Sequence, residues 1–479
     1  MRASSYIVAV PLPDTDRVLM FHGYSGAVDI VSSRIAGPLT DSDSSNGRIR
    51  NSLSSDTLSH LESRGYLTEK TPEAEQAYVV ELGRRVHAVL RKHASPGFLI
   101  IPTYSCNLRC TYCYEKGLQG RGASWLEKRL SEEMTEAALE AMAKIDAPHR
   151  RQRCMTLYGG EPLQKSNETM IRHLHEKACA KGFRQFSAIT NAVDLDHYTD
   201  ILGKDKGISF LQITIDGPPS VHDGRRFLPD GRGTFEDIVR NIDMAMKQGT
   251  RVSVRINVDR KNANHVNWLK DFFQEREWSQ SPLFRAYCSP VHGSICSKHG
   301  GDSFASHLEM RQAIRGKDST GGDEEGPSFF QTDALTYAVE KRILAHLSHK
   351  EDLPFWRTAF CGSNMAMYLF DPFGDIYPCW EVIGHPEHRI GLYGPGLLEL
   401  DPQAIQKWHH RSVVRIRTCR SCPYLFFCGG GCEAFAYRAT GKLNQPHCFE
   451  FPRHFQKAAL NAYRVWNAGQ NDRASLTRS

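Results

Sequence analysis

Three cysteines stand within eight positions of one another in the stretch IPTYSCNLRCTYCYE. Cys106, Cys110 and Cys113 form a C-x3-C-x2-C pattern. A structural zinc ion takes four protein ligands, and no histidine lies between His93 and His149 to supply the fourth. A four-iron cluster held by three thiolates, in contrast, leaves one iron open for an exogenous ligand. The spacing therefore favours an iron–sulfur centre over zinc.

The pattern, with an aromatic residue before its third cysteine, resembles the signature of the radical S-adenosylmethionine (SAM) superfamily. A second motif carries the resemblance further, because LYGGEP stands at the end of a predicted strand, where the family contacts the amino group of SAM. Glycines there let the backbone approach a ligand closely, and Glu161 holds either the loop or the ammonium group. The resemblance implies that cofactor-binding residues are Tyr112, Gly159, Gly160, Glu161, Pro162, Asn191 and Asp216.

The resemblance also implies a mechanism. SAM occupies the open iron, the reduced cluster cleaves it, and the resulting 5′-deoxyadenosyl radical abstracts a hydrogen atom from the substrate. The protein contributes positioning and the exclusion of water. The sequence assigns no catalytic residue and no general base.

Seven further cysteines follow in the C-terminal part of the chain. Cys361 and Cys379 flank Gly374 in C-x12-G-x4-C, after which come C-x2-C-x5-C-x3-C and a last cysteine. The arrangement resembles the SPASM extension of radical SAM enzymes, which binds two auxiliary four-iron clusters; two zinc ribbons are the alternative. The resemblance implies a distal ligand set of Cys419, Cys422, Cys428 and Cys448 and a nearer set of Cys361, Cys379 and Cys432.

The nearer set is one ligand short, since KEDLPFWRTAF before Cys361 contains no cysteine. Either Cys288 or Cys296 closes that cluster from afar, or the site is open to a substrate group. A substrate thiolate is a soft ligand that suits iron, which favours a thioether-forming reaction. In all, the sequence predicts three [4Fe-4S] clusters and SAM as cofactors.

The elements that position these residues alternate between strands and helices over residues 96–300. This alternation predicts a parallel α/β architecture, a partial (β/α)6 TIM-like barrel with its chemistry at the carboxyl ends of the strands. The three-cysteine stretch directly follows the first strand, and LYGGEP ends the second. The predicted strands are GFLIIPT, CMTLYGG, FSAIT, LQITID, RVSVRINV and LFRAYC.

Residues 1–95 predict a small α+β unit with strands YIVAVPL and RVLMFHG and a helix that begins at Pro72, capped by Thr71. The unit resembles the winged-helix-like domain that captures a leader peptide by adding it to a sheet edge; the alternative is a capping domain without a ligand. The other predicted segments are a flexible insertion and bridging helix at 301–354, the cluster domain at 355–455, and a helix end with a disordered tail at 456–479.

Composition narrows the range of partners. The formal charge of +6, from 60 basic and 54 acidic residues, is small for 479 residues and does not indicate nucleic-acid binding. No apolar stretch approaches the span of a bilayer, and no export signal is recognisable. Fourteen cysteines without such a signal favour metal ligation over disulfides. We therefore expect a cytoplasmic protein that binds neither nucleic acid nor membrane.

The resemblance implies a peptide maturase. It would install a thioether or carbon–carbon crosslink in a ribosomally made peptide or protein with a leader, using electrons from a flavodoxin- or ferredoxin-type donor. Two alternatives stay open: a sulfatase-maturating enzyme that forms formylglycine, which the run IDGPPSVHDGRR suits, and a non-catalytic iron–sulfur carrier. A carrier has no use for LYGGEP, so SAM cleavage by the reduced protein separates it from the other two.

Overall fold

A computed structural model of the chain describes residues 1–41, 49, 51–146, 153–205, 207–292, 303–304, 307–315, 329–331, 334–349 and 356–476. These residues form two compact units that differ from the predicted segments. A boundary read along the chain cannot anticipate which distant segments share a core. The first unit joins Met1–Lys92, Leu335–Cys361 and Arg411–Ser479; the second joins His93–Ala334 and Gly362–His410.

Short antiparallel strands open the first unit. They are β1 Arg2–Ala3, β2 Ile7–Pro11, β3 Arg17–His22, β4 Val28–Ser32 and β5 Leu67–Thr68. Strands β2, β3 and β4 form one sheet, and β1 pairs with β5. Both predicted strands and the helix beginning at Pro72 are confirmed, and the Thr71 hydroxyl accepts a hydrogen bond from the Ala74 N–H at 3.2 Å. The helices are Ser33–Thr40, Ser55–Ser63, Pro72–His93, Ala334–His349, Leu425–Cys428, Glu433–Thr440 and Phe451–Leu476.

The C-terminal segments complete the core of the first unit. Phe427 and Phe455 pack against Phe21 of β3, with ring centroids 6.2 and 4.9 Å apart. The helix Phe451–Leu476 continues through most of the predicted disordered tail. Gly469 costs this helix only about 1 kcal/mol, and no proline follows to end it.

A buried carboxylate ties the first residues of the chain to the helix Pro72–His93. Glu75 is fully buried. Its carboxylate accepts hydrogen bonds from Arg2 Nη2 at 2.8 Å, Ser4 Oγ at 2.5 Å and the Tyr24 hydroxyl at 3.0 Å. Since every donor is supplied by the N-terminal residues, the network fixes the start of the chain on this helix.

We expect acid to weaken the first unit through His22, which is buried with Nε2 3.0 Å from Ser4 Oγ. Its Nδ1 accepts the Ser25 N–H at 3.0 Å, which suits a neutral ring, and burial lowers the pKa of His22 from 6.5 to about 4. The neutral ring's contribution to stability is complete above pH 6.5 and is lost as the pH falls toward 4. Between pH 7 and pH 4.5 the free energy of unfolding, measured in urea relative to His22→Gln, should fall by roughly 2 to 3 kcal/mol. A difference that does not change with pH would contradict this.

A large, mostly parallel sheet forms the second unit. Its strands are β6 Gly97–Ile100, β7 Arg153–Leu157, β8 Phe183–Thr190, β9 Ile208–Thr214, β10 Arg251–Val258, β11 Phe284–Pro290, β12 Phe330–Gln331, β13 Met367–Phe370, β14 Asp375–Tyr377, β15 Gly391–Gly394 and β16 Leu397–Leu400. Their order is β12-β11-β10-β9-β8-β7-β6-β13-β14-β15-β16. Pairings from β12 to β13 are parallel, and those from β13 to β16 are antiparallel.

The six predicted strands are confirmed as β6 to β11, and with them the parallel α/β architecture. The sheet extends further than predicted, because β13 pairs in parallel with β6 inside the segment assigned to the cluster domain. Closure into a six-unit barrel stays a prediction. The helices of this unit are Ala123–Leu126, Glu132–Asp146, Glu168–Ala180, Pro219–Asp223, Phe235–Lys247, Val266–Glu275, His307–Arg315 and Pro402–Trp408.

The two faces of the parallel sheet differ in polarity, because side chains alternate along each strand. One face is apolar and buried, as at Leu211, Val254 and Ala286. The other carries half-buried polar side chains that bond from strand to strand. These bonds are Thr156 Oγ1 to Ser187 Oγ at 2.8 Å, the Tyr287 hydroxyl to Gln212 Oε1 at 2.8 Å, and Arg255 Nη2 to Ser289 Oγ at 3.0 Å.

The predicted insertion is only partly described. Residues 293–302 and 316–328, Cys296 among them, lie outside the described residues. The predicted bridging helix is confirmed as Ala334–His349. Across the described part of the chain, no helix combines the length and apolar character needed to cross a bilayer.

Candidate functional site

The three clustered cysteines lie in the loop that follows β6. The Leu108 N–H points at Cys106 Sγ from 3.4 Å, and the Cys113 N–H donates to the Cys110 carbonyl at 3.3 Å. Burial raises the pKa of all three thiols, that of Cys113 to about 12, and Cys110 adds to the rise at the other two. Thiols that resist ionisation in this way become thiolate ligands only beside a positive centre. The donor set therefore fits an iron–sulfur cluster.

Gly159 and Gly160 lock the LYGGEP motif against the cysteine loop. A Cβ on Gly160 would lie 2.3 Å from the Ser105 carbonyl oxygen, and one on Gly159, where φ is +122°, would lie 2.7 Å from that of Thr103. The Gly160 N–H donates to Thr103 at 3.2 Å and the Glu161 N–H to Ser105 at 2.9 Å. The glycines are thus required by contact between two backbones, and their predicted contact with SAM stays a prediction.

Glu161 fastens the motif to the end of β8. Its side chain is buried, and Oε1 accepts hydrogen bonds from the Thr190 hydroxyl at 2.6 Å and the Leu163 N–H at 2.9 Å. Oε2 accepts the Asn191 N–H at 2.5 Å. Burial raises the pKa of this carboxyl to about 7. The geometry favours the first of its two predicted roles, holding the loop.

Asn191 presents its amide to the cysteine loop. Its Nδ2 lies 3.9 Å from Cys106 Sγ and donates to Asn107 Oδ1 at 2.7 Å. Pro162 bonds elsewhere, because its carbonyl accepts from Asn167 Nδ2 at 3.1 Å. Of these two predicted cofactor contacts, only Asn191 thus has its polar group beside a cluster cysteine.

Tyr112 and Asp216 meet in a buried network next to the cysteine loop. The Tyr112 hydroxyl donates to Asp216 Oδ2, and Oδ1 accepts the Asn257 N–H at 2.9 Å. Arg225 spans two carboxylates, with Nε 3.4 Å from Asp216 Oδ2 and Nη1 2.8 Å from Asp259 Oδ2. Both oxygens of Asp216 therefore bind protein donors, so its place in the structure is that of an anchor for Tyr112.

An aromatic row that the sequence motifs did not indicate lies beside the cysteine loop. The rings of Tyr114 and Tyr158 are 6.2 Å apart, and those of Tyr158 and Trp380 are 6.4 Å apart. Glu115 is buried, accepts a hydrogen bond from the Tyr114 hydroxyl at 2.8 Å, and has its pKa raised by burial to about 7. Tyr114 lies in the three-cysteine motif and Tyr158 in LYGGEP, and these positions were the signal in the sequence that could have indicated the row. Trp380, which follows Cys379, is 39 % exposed.

Gly374 has a clear role in the C-x12-G-x4-C pattern. It turns the chain between β13 and β14 with φ +90°, and a Cβ there would lie 2.7 Å from the Tyr393 carbonyl oxygen. The hairpin brings Cys379, which is buried, just beyond β14. Cys288, one predicted fourth ligand, lies on the apolar face of β11 opposite the polar row, and burial raises the pKa of its thiol.

The predicted distal ligands lie together in the first unit. Burial and the other three thiols raise the pKa of Cys419 to about 12. Gly431, at φ +73°, would place a Cβ 1.7 Å from the His447 carbonyl oxygen, so glycine lets the chain before the last cysteine approach this loop. The four thiols are those of Cys419, Cys422, Cys428 and Cys448.

The nearer ligand set stays a prediction, because Cys361 and Cys432 belong to the first unit and Cys379 to the second. All thirteen cysteines in the described part of the chain are free thiols. Among the same residues, no three His, Cys, Asp or Glu side chains are arranged for a single metal ion.

Residues 100–270 match the family model of the radical SAM superfamily. The serine-type anaerobic sulfatase-maturating enzyme of Bacteroides thetaiotaomicron is 22% identical over 374 residues, which cover 74% of this chain and 87% of that enzyme. The mycofactocin maturase of Mycolicibacterium smegmatis is 23% identical over 369 residues, covering 73% and 81%.

A solved structure described as native anSMEcpe with bound AdoMet and Cp18Cys peptide shares the fold. The TM-score is 0.54 at 17% identity, and the match covers 78% of this chain and 100% of that one. The family match spans the cysteine loop, LYGGEP and the network around Asp216. Residues 100–270 are therefore a radical SAM domain, and the protein that carries this domain is an enzyme.

Proposed function

We propose that this protein is a maturase that modifies a ribosomally made peptide or protein. The substrate lies in extended form along the polar face of the parallel sheet. The observation that carries the proposal is this face, which leads to the cysteine loop at the carboxyl ends of the strands. Asn257 of β10 joins the two, since its Nδ2 lies 3.3 Å from the Tyr112 hydroxyl. A row of hydroxyl, amide and guanidinium groups suits the alternating N–H and C=O groups of a peptide backbone.

The aromatic row supplies an apolar contact next to these polar groups. Trp380 is exposed on one side and packs on Tyr158 on the other. Exposed aromatic rings at a polar site commonly anchor a partner, because they bury a large area at small entropic cost. Arg255 and Glu381 both act electrostatically on Tyr158, which places charged groups of either sign around the ring. A peptide side chain resting on Trp380 thus has polar neighbours for its backbone.

When bound and reduced, a three-thiolate cluster with SAM would supply the radical that abstracts a hydrogen atom from the substrate. The chain's own residues do the rest. Cys106, Cys110 and Cys113 would hold the cluster, and the amide of Asn191 lies 3.9 Å from Cys106 Sγ. The Tyr114 hydroxyl donates to the buried carboxyl group of Glu115 and the Tyr114 ring packs on Tyr158, an arrangement that would keep water from this side of the loop.

Two products fit this arrangement. A thioether or carbon–carbon crosslink is the first, and an unfilled position at Cys361, Cys379 and Cys432 would receive a substrate thiolate in that case. Formylglycine in a sulfatase is the second, and the relative from Bacteroides thetaiotaomicron, which is named as a sulfatase-maturating enzyme, favours this alternative equally. The third predicted function, an electron carrier without catalysis, does not require the close backbone contact between LYGGEP and the cysteine loop.

Two protein partners follow from this proposal. The leader of the peptide adds as a strand to an edge of the β2-β3-β4 sheet, where β2 and β4 are the outer strands. A flavodoxin- or ferredoxin-type protein supplies the electrons in the cytoplasm. Neither nucleic acid nor a membrane takes part.

The mass and reactivity of the peptide test the proposed function. The anaerobic, reduced enzyme is incubated with SAM and with small peptides encoded beside its gene. A crosslink removes two hydrogens and, if it is a thioether, also blocks alkylation of the cysteine by iodoacetamide. Formylglycine instead reacts with a hydrazide, while an unchanged mass with altered stereochemistry indicates epimerisation. If SAM is cleaved but no candidate peptide changes in mass or stereochemistry, the proposal fails for those peptides.

Trp380→Ala should raise the KM for a modified peptide about tenfold and lower kcat less, because an aromatic anchor contributes mainly to binding. Trp268→Ala is the matched control. Trp268 is 38 % exposed, compared with 39 % for Trp380, but it stacks on Phe272 within the helix Val266–Glu275. Steady-state kinetics of the two variants measure KM and kcat. A KM for Trp380→Ala equal to that for Trp268→Ala would show that the peptide does not rest on Trp380.

A further inference from the structure

Arg226 carries a buried donor that the rest of the protein leaves without an acceptor. Its side chain is only 7% exposed, and Nη1 donates to the Tyr112 hydroxyl at 3.0 Å. Its Nε is fully buried and finds no hydrogen-bond partner among the described residues. Native proteins rarely leave such a group unsatisfied, since a buried charged donor without an acceptor is costly. The position of this N–H therefore points to an acceptor that the polypeptide does not supply.

The backbone places this donor opposite a cluster cysteine. Two backbone hydrogen bonds, of 2.8 and 3.0 Å, hold residues 109–111 beside residues 225–227. They join the two neighbours of Cys110 to the two neighbours of Arg226, so that these residues face each other. The guanidinium charge also opposes the effect of burial on the pKa of Cys110.

The neighbouring arginine has a different role. Arg225 makes the ion pairs with Asp216 and Asp259. Within the part of the chain that the structure describes, no carboxylate oxygen lies within 4.0 Å of a nitrogen of Arg226. Arg226 thus brings to the cysteine loop a positive charge that no carboxylate contacts directly.

We propose that Arg226 donates its Nε–H to a sulfur of the cluster held by Cys110 and thereby raises the reduction potential of that cluster. Reduction adds one electron to a buried centre without making or breaking a bond. A fixed positive charge and an N–H···S bond both stabilise the additional negative charge, and both act strongly where water is excluded. Arg226 is then a positioning and tuning residue for the cofactor. The inference rests on the radical SAM domain and does not depend on the identity of the peptide.

A redox titration of the anaerobic holoenzyme tests the inference. Dithionite supplies the electrons, and electron paramagnetic resonance follows the signal that shifts when SAM is added, which marks the cluster with the open iron. In Arg226→Gln, the ratio of reduced to oxidised cluster at the wild-type midpoint should fall about tenfold, or about 59 mV for one electron. Arg226→Lys keeps the charge without the Nε–H and should show a smaller fall in the same direction.

Arg232→Gln is the control, because it removes an exposed guanidinium of the same segment, whose Nη1 pairs with Asp237 at 2.7 Å. Its midpoint should match that of the wild type. An unchanged midpoint in an Arg226→Gln protein with full iron content would overturn the proposal. If Arg226→Gln loses its iron, Arg226→Lys decides, and a wild-type midpoint in that variant overturns the proposal as well. The measured midpoint potentials do not depend on whether any candidate peptide reacts.

Discussion

Gly160→Ala should remove the cluster of the cysteine loop and SAM cleavage together. The new Cβ would lie 2.3 Å from the Ser105 carbonyl oxygen and 2.5 Å from that of Tyr104. Both are backbone atoms of the cysteine loop, so neither swings aside as a side chain would. We expect the overlap to cost about 3 kcal/mol and to displace the loop from the geometry that three cluster ligands require. Iron content and the yield of 5′-deoxyadenosine measure the two effects.

Gly117→Ala is the matched control for this change. Gly117 lies in the segment Tyr114–Arg121, directly after the third cysteine, and a Cβ there meets no atom within 4 Å. This variant should keep its iron and its SAM cleavage. Wild-type iron content and cleavage in Gly160→Ala would mean that the two loops do not need the close approach seen between them.

The parts of this molecule that follow from local patterns were predictable. Runs such as RVSVRINV predict a strand with one apolar face, and all six predicted strands form one parallel sheet. The cysteine loop and LYGGEP end neighbouring strands β6 and β7, so their meeting followed from the architecture. The reason for the glycines did not, because only the folded backbone shows that Gly160 faces Ser105.

The parts that depend on distant contacts were not predictable. Nothing near Phe21 in the sequence indicates that Phe455 will pack on it. The sequence of β13, MYLF, is too short to predict that this strand extends the parallel sheet. The sequence around Asp216 does not show that Arg225 and Asn257 donate to its carboxylate oxygens, and its contact with SAM stays a prediction. Each of these outcomes depends on partners far away in sequence, which a local pattern cannot name.

Arg411 illustrates the same limit at the distal cysteines, because the sequence shows it only as one residue of the basic run QKWHHRSVVRIRTCR, residues 406–420. It is 1% exposed. Its Nε, Nη1 and Nη2 donate to the carbonyl oxygens of Leu443 at 2.9 Å, Gly431 at 2.9 Å and Gln445 at 2.8 Å. A guanidinium offers five N–H donors in one plane, so a single side chain joins the loop around Gly431 to the segment before Cys448.

Arg411→Met should therefore lower the free energy of unfolding by about 3 to 5 kcal/mol, since three buried carbonyl groups lose their donor. It should also release the distal cluster, about four of the roughly twelve irons predicted per chain. SAM cleavage should persist, because the cysteine loop belongs to the other compact unit. Arg415→Met, at an exposed position of the same run, is the control and should keep all its iron. Urea unfolding and iron analysis measure both effects, and equal iron in the two variants would show that Arg411 does not hold the distal ligands in place.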